Sequence, residues 1–92
     1  MVKFLVHDKV DSVGVAVADI KAGETVKGYI MEEGTEIEVV SKSDILLGHK
    51  IALKDVAQGD NIIKYNVPIG ITTQDITVGE HVHIHNLKTA RW

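Results

Sequence analysis

One eight-residue pattern occurs three times: "DIKAGETV" at 19–26, "DVAQGDNI" at 55–62 and "DITVGEHV" at 75–82. Each copy reads Asp, β-branched apolar, two variable residues, Gly, acid, one variable residue, β-branched apolar. Asp can accept backbone N–H bonds in a local Asx-type turn, and Gly can take the positive φ that reverses the chain. The apolar residue at either end anchors the reversal to a core. The Asp-to-Asp intervals are 36 and 20 residues, so this is one turn used repeatedly and not a solenoid of fixed period.

A chain that reverses this often has room only for short strands. Seven segments carry the β signal: "KFLVH", "VGVAVA", "VKGYIM", "EIEVVS", "KIAL", "NIIKY" and "HVHIH". The "EEG" at 32–34 reads as a hairpin turn. No segment shows sustained helical periodicity, and no linker or low-complexity tract divides the chain. With only four aromatic residues (Phe4, Tyr29, Tyr65, Trp92), the core must be built chiefly from Val and Ile, which suit pleated sheet. The expected fold is mainly β with little helix, in a single domain spanning 1–92. A core this small leaves much surface in water, so a partner or a homo-oligomer contact would add burial.

Charge and composition narrow the function classes. Ten basic and thirteen acidic residues give a formal charge of −3, with no basic run, which argues against a nucleic-acid partner held through phosphates. No cysteine is present, so neither disulfides nor a thiolate site enters. No apolar stretch reaches the length of a membrane span, and the N-terminal apolar run is too short for a signal peptide. The expectation is a cytoplasmic protein with no membrane role.

The most distinctive chemistry lies in "GEHVHIHN", residues 79–86, where His81, His83 and His85 occupy alternate positions. On a strand, residues two apart line one face, about 6.5 to 7 Å apart along the backbone. Two imidazoles can converge on one ion at that spacing, whereas three in a row span about 13 Å. The pair His83 and His85 is therefore the candidate for metal binding, completed by a partner, and for proton transfer near neutral pH. The plain alternative is an exposed polar face with Val82 and Ile84 buried behind it. His49 and Lys50 in "GHK", and Lys64 in "IIKYNVPIG", are candidates for holding an anionic substrate. Lys88, Arg91 and Trp92 combine cations with an aromatic ring, as partner-binding surfaces do. His7 and Asp8 read as strand-end and turn residues.

The segments "GHKIALKDVAQGDNIIKYNVPIG" (48–70) and "TQDITVGEHVHIHNLKTARW" (73–92) resemble the SAF domain of the altronate and galactarate dehydratase family, and "VHDKVDSVGVAVADIKAGETV" resembles the family's opening. That resemblance implies a β-clip fold. It also implies a role either as the N-terminal domain of a dehydratase or as the small subunit of a two-component enzyme such as (R)-sulfolactate sulfo-lyase. Because the sequence ends at Trp92, the expectation is a separate small subunit that meets a large catalytic subunit. The family reaction is loss of water or sulfite from a hydroxy acid. The resemblance implies iron or manganese in the holoenzyme, and the larger partner is expected to hold most catalytic groups. One departure stands out: Asn66 occupies the glycine position of the family's "YGxPIG" bend, which bears on any substrate role for that loop. A non-enzymatic β-clip module for binding or oligomerisation is the alternative in a different class.

Overall fold

The computed structural model describes residues 1–65 and 67–89, so Asn66 and the tail residues Arg91 and Trp92 lie outside the described residues. Among the described residues there is no helix. The strands run β1 (Val2–Val6), β2 (Val13–Ala16), β3 (Thr25–Ile30), β4 (Thr35–Val40), β5 (Lys50–Ala52), β6 (Asn61–Lys64), β7 (Val67–Thr72), β8 (His81–Val82) and β9 (Leu87–Thr89). Six of them form one sheet in the order β4-β3-β1-β2-β5-β8, and three form a second in the order β6-β7-β9. The β3–β4 hairpin turns at Met31–Gly34, around the expected "EEG".

Two strands escape the alternation pattern. In β7, Pro68 and Gly70 argue against a strand, yet β7 is the middle strand of the second sheet. Its pairing with β6 slips between Ile62 and Ile63, and such an irregularity is where a sheet tolerates proline. The other is β9, too short to show any period.

The turns organise the molecule. Each proves to be a β-turn with Gly at its third position and φ between 87° and 92°, the backbone that a type II turn demands. A fourth copy, "DILLGHKI" at 44–51, has the same geometry with His49 where the others carry an acid. The four copies pair as two clips. Ile20 and Ile45 exchange two backbone hydrogen bonds, and so do Val56 and Ile76.

The aspartates do not cap their own turns through local Asx bonds. Each reaches across to the partner turn: Asp19 accepts from Leu47 N (2.9 Å) and Asp44 from Ala22 N (2.9 Å). In the second clip, Asp55 accepts from Val78 N (3.0 Å) and Asp75 from Gln58 N (2.8 Å). The residue three places before each Asp is small and buried (Ala16, Ser41, Ala52, Thr72), and it exchanges backbone bonds with the Gly and following residue of the partner turn. One clip seeds the cluster around Phe4, Ile20, Ile45 and Ile51; the other seeds that around Val56, Ile62, Ile76 and Val82. Phe4 is fully buried because Gly14 and Gly28, on the flanking strands, leave the volume its ring occupies. Ser12 ties the two sheets together, its N–H donating to Ile63 O and its carbonyl accepting from Leu53 N.

Candidate functional site

The histidine segment is a strand only as far as Val82. Asn86, 1% exposed, turns it: its Nδ2 donates to His81 O (2.8 Å), and its Oδ1 accepts from His83 N (2.9 Å). Its own N–H donates to His83 O (3.0 Å), closing a turn over His83–Asn86. The expected five-residue strand with three imidazoles on one face is therefore corrected. Ile84, expected to be buried, is 84% exposed at the tip of that turn.

The rings gather nevertheless, because β5 delivers a partner. β5 and β8 pair antiparallel with Lys50 opposite Val82 and Ile51 opposite His81. Continuing that register sets His49 opposite His83 and diagonal to His81, the two relations in which cross-strand side chains meet. The ring centroids of His49 lie 4.3 Å from His83 and 5.0 Å from His81, and those of His81 and His83 are 5.5 Å apart. His49 Nδ1 and His81 Nε2 share a hydrogen bond of 2.8 Å, so one ring carries the proton and the other the lone pair. One ring nitrogen from each of His49, His81 and His83 falls within 4.8 Å of the other two. His85 stays outside this trio, with its ring 5.2 Å from that of His81.

The electrostatics favour neutral rings. Burial holds the His81 pKa below the ordinary imidazole value, with His85, His49 and His83 adding repulsion. His83 is lowered the same way, first by burial and then by His49, Lys50 and His85. Lys50, placed opposite Val15 by the β2–β5 register, is pulled below the ordinary lysine value by burial and by Lys64. Lys50 is thus coupled both to the imidazoles and to Lys64.

Lys64 itself lines a cavity of about 230 Å³ over the Val13 and Val15 face, together with His7, Asp11 and Tyr65. Tyr65 has φ of +55°, a left-handed backbone at the residue before Asn66, and its N–H donates to Asp11 Oδ2 (3.1 Å). The structure therefore separates the sequence candidates. His49, His81 and His83 form one cluster with Lys50 beside it, Lys64 belongs to the cavity, and Lys88 is exposed on β9.

With this geometry in place, known proteins supply the context. A profile described as the altronate/galactarate dehydratase SAF domain matches residues 2–90. The chain belongs to this SAF-domain family. It is 44% identical over 92 residues to a "(2R)-sulfolactate sulfo-lyase subunit alpha" from Chromohalobacter salexigens, covering 99% of this chain and 98% of the relative. It is 47% identical over 89 residues to an "Altronate dehydratase" from Bacillus subtilis, covering 97% of this chain but 17% of that longer relative. A sulfo-lyase alpha subunit from Paracoccus pantotrophus is 44% identical over 63 residues, 68% of this chain and 94% of the relative. The mainly β architecture is that of a SAF domain, and the relatives are lyase subunits or the corresponding part of a longer dehydratase. Among the described residues no helix is long and apolar enough to cross a membrane.

Sequence reasoning missed Asn86 and gave His49 an anion-holding role without placing it among the imidazoles. Asn86 looks like any turn residue until its side-chain hydrogen bonds to His81 O and His83 N are seen. His49 carried a signal: in the fourth turn copy it replaces the acid that follows Gly in the other three.

Proposed function

We propose that this chain is the small subunit of a two-component lyase that removes water or sulfite from a hydroxy acid, at a site completed by a large subunit. The observation that carries this reading is the imidazole trio beside β8, an edge strand of the larger sheet. Exposed Leu46, Leu47 and Ile84 lie within three residues of those histidines in sequence. Polar groups gathered at an edge with apolar neighbours in water suit a site that a second protein covers. A relative named as a subunit, matched over nearly its whole length, supports the same division of labour.

The chemistry is elimination. A base takes the proton next to the carboxylate, the C–H electron pair becomes the C=C bond of an enol, and the neighbouring group leaves as sulfite or, with a proton, as water. Three imidazoles are a donor set that iron and zinc accept, so the residues present fit the iron that the family resemblance implies. Bound there, such an ion would stabilise the negative charge that develops on the substrate's carboxylate and hydroxyl oxygens. Of this chain's residues, Lys50 pairs with the substrate carboxylate. His85, at the rim of the trio, holds a proton for the departing hydroxyl. Lys64 extends the positive region toward the cavity.

Assaying the chain with and without a dehydratase-like large subunit, on altronate, galactarate and sulfolactate, tests the reading. Negligible turnover alone and turnover of one substrate by the pair are expected. Failure of every such pair to turn over, or a pair indifferent to His83→Ala, would leave a binding module instead.

A further inference from the structure

The geometry points to a transition-metal site that this chain holds by itself, with His49, His81 and His83 as three ligands and an open coordination position. This deepens the proposed function, on which it rests only for what the open position faces; the metal site itself is argued from this chain alone.

Two turns and a strand converge to build it. His49 arrives from the turn at 44–51, at the head of β5, His81 from β8, and His83 from the turn that Asn86 closes. Their ring nitrogens lie within 4.8 Å of one another. A tetrahedral site with Zn–N bonds of about 2.0 to 2.1 Å needs its nitrogens about 3.3 Å apart, so the His49–His81 pair at 2.8 Å opens slightly, the wider separations close, and the stacked rings turn to aim their lone pairs at one point. The backbone beneath is held in place: His81 O and His83 N both bond to buried Asn86, and β8 is locked to β5. Such fixing of the ligand-bearing backbone is what a preorganised site requires.

Without a cation the arrangement is uneconomical. The hydrogen bond between His49 and His81 uses one pair of ring nitrogens, and three imidazoles packed face to face repel one another once protonated. A cation occupies that space when one ring of the His49–His81 pair carries its proton on the far nitrogen, with no net proton release. Imidazole donors select iron, cobalt, nickel, copper or zinc over magnesium or calcium. Three protein ligands leave a position for substrate oxygen or for a group from the large subunit.

Adding Co²⁺ to the purified full chain, without any partner, tests this by its visible absorption and by calorimetry, with Zn²⁺ competing. One equivalent is expected to bind with a ligand-field spectrum that Zn²⁺ abolishes. His83→Ala should weaken binding more than about 100-fold, beyond the cost of losing an outer-shell partner. His49→Ala should do the same, with thermal melts confirming that both variants fold. His7→Ala and His85→Ala should bind as the parent does. The assignment is overturned if no saturable binding occurs, or if His85→Ala abolishes it while His81→Ala does not. A chain that binds no metal yet supports turnover with its large subunit would sink this inference alone. Metal binding by a chain that supports no lyase would sink only the functional reading.

Discussion

Gly48 and Gly79 occupy the same position of the same turn, with φ of 89° and 92°, yet replacing each by Ala should have very different consequences. At Gly48 an added Cβ meets nothing within 4 Å. Gly48→Ala therefore costs only the strain of a positive φ, about 1 to 2 kcal/mol. At Gly79 the added carbon overlaps the Val40 carbonyl oxygen and lies 3.2 Å from the Val40 carbonyl carbon and 3.3 Å from Lys42 N. These are backbone atoms that cannot rotate away. Relief means moving β8 and breaking two hydrogen bonds, Lys42 N to Gly79 O and Gly79 N to Ala52 O, at about 1 kcal/mol each. With the φ strain, the loss is about 3 to 5 kcal/mol. For a domain of this size each kcal/mol lowers Tm by about 4 to 8 °C. Urea titration of the two variants, at about equal m, should separate them by about 2 kcal/mol, the worth of the two broken hydrogen bonds. Equal losses would refute the claim that the turn at 75–82 packs directly on the end of β4, and with it the account of how β8 is held under His81.

Other expectations follow from the same geometry. Because the folded-state pKa values of His81 and His83 lie below the unfolded value of about 6.5, the unfolded chain binds protons first as pH falls. Stability of the metal-free chain should be level above that pH and decline below it; chemical denaturation at pH 7.5 and 5.5 that gave a higher stability at the lower pH would contradict the lowered pKa values of His81 and His83. Asn86→Ala leaves His83 N and His81 O without their side-chain partner and should cost about 2 to 4 kcal/mol by thermal melting. Lys50→Met removes a cation whose charged form burial and Lys64 disfavour, so it should leave Tm unchanged or raised while raising KM for the acid substrate in the reconstituted pair.

Much of the fold was legible because its signals are local. Alternating Val and Ile mark β1 through β6, and "EEG" marks the hairpin. The Asp and Gly of each turn are visible without any structure. What the carboxylates bond to was not legible, since Asp19 and Leu47 meet only through pairing of distant turns. The turn at 44–51 escaped because His49 breaks the acid position, and that same break marks the histidine cluster. His81 and His83 do share a site, but through a turn and a cross-strand partner. Alternation alone could not show that Asn86 ends β8 early, nor that His85 would stand outside the trio.

The most direct test of the account is the elimination rate of the reconstituted pair carrying His83→Ala in this chain, compared with His7→Ala, with association of the subunits measured in parallel. The account predicts that His83→Ala lowers kcat by at least about 100-fold with the subunits still associated, while His7→Ala stays near the parent. A His83→Ala pair that assembles and turns over at the parent rate would contradict it.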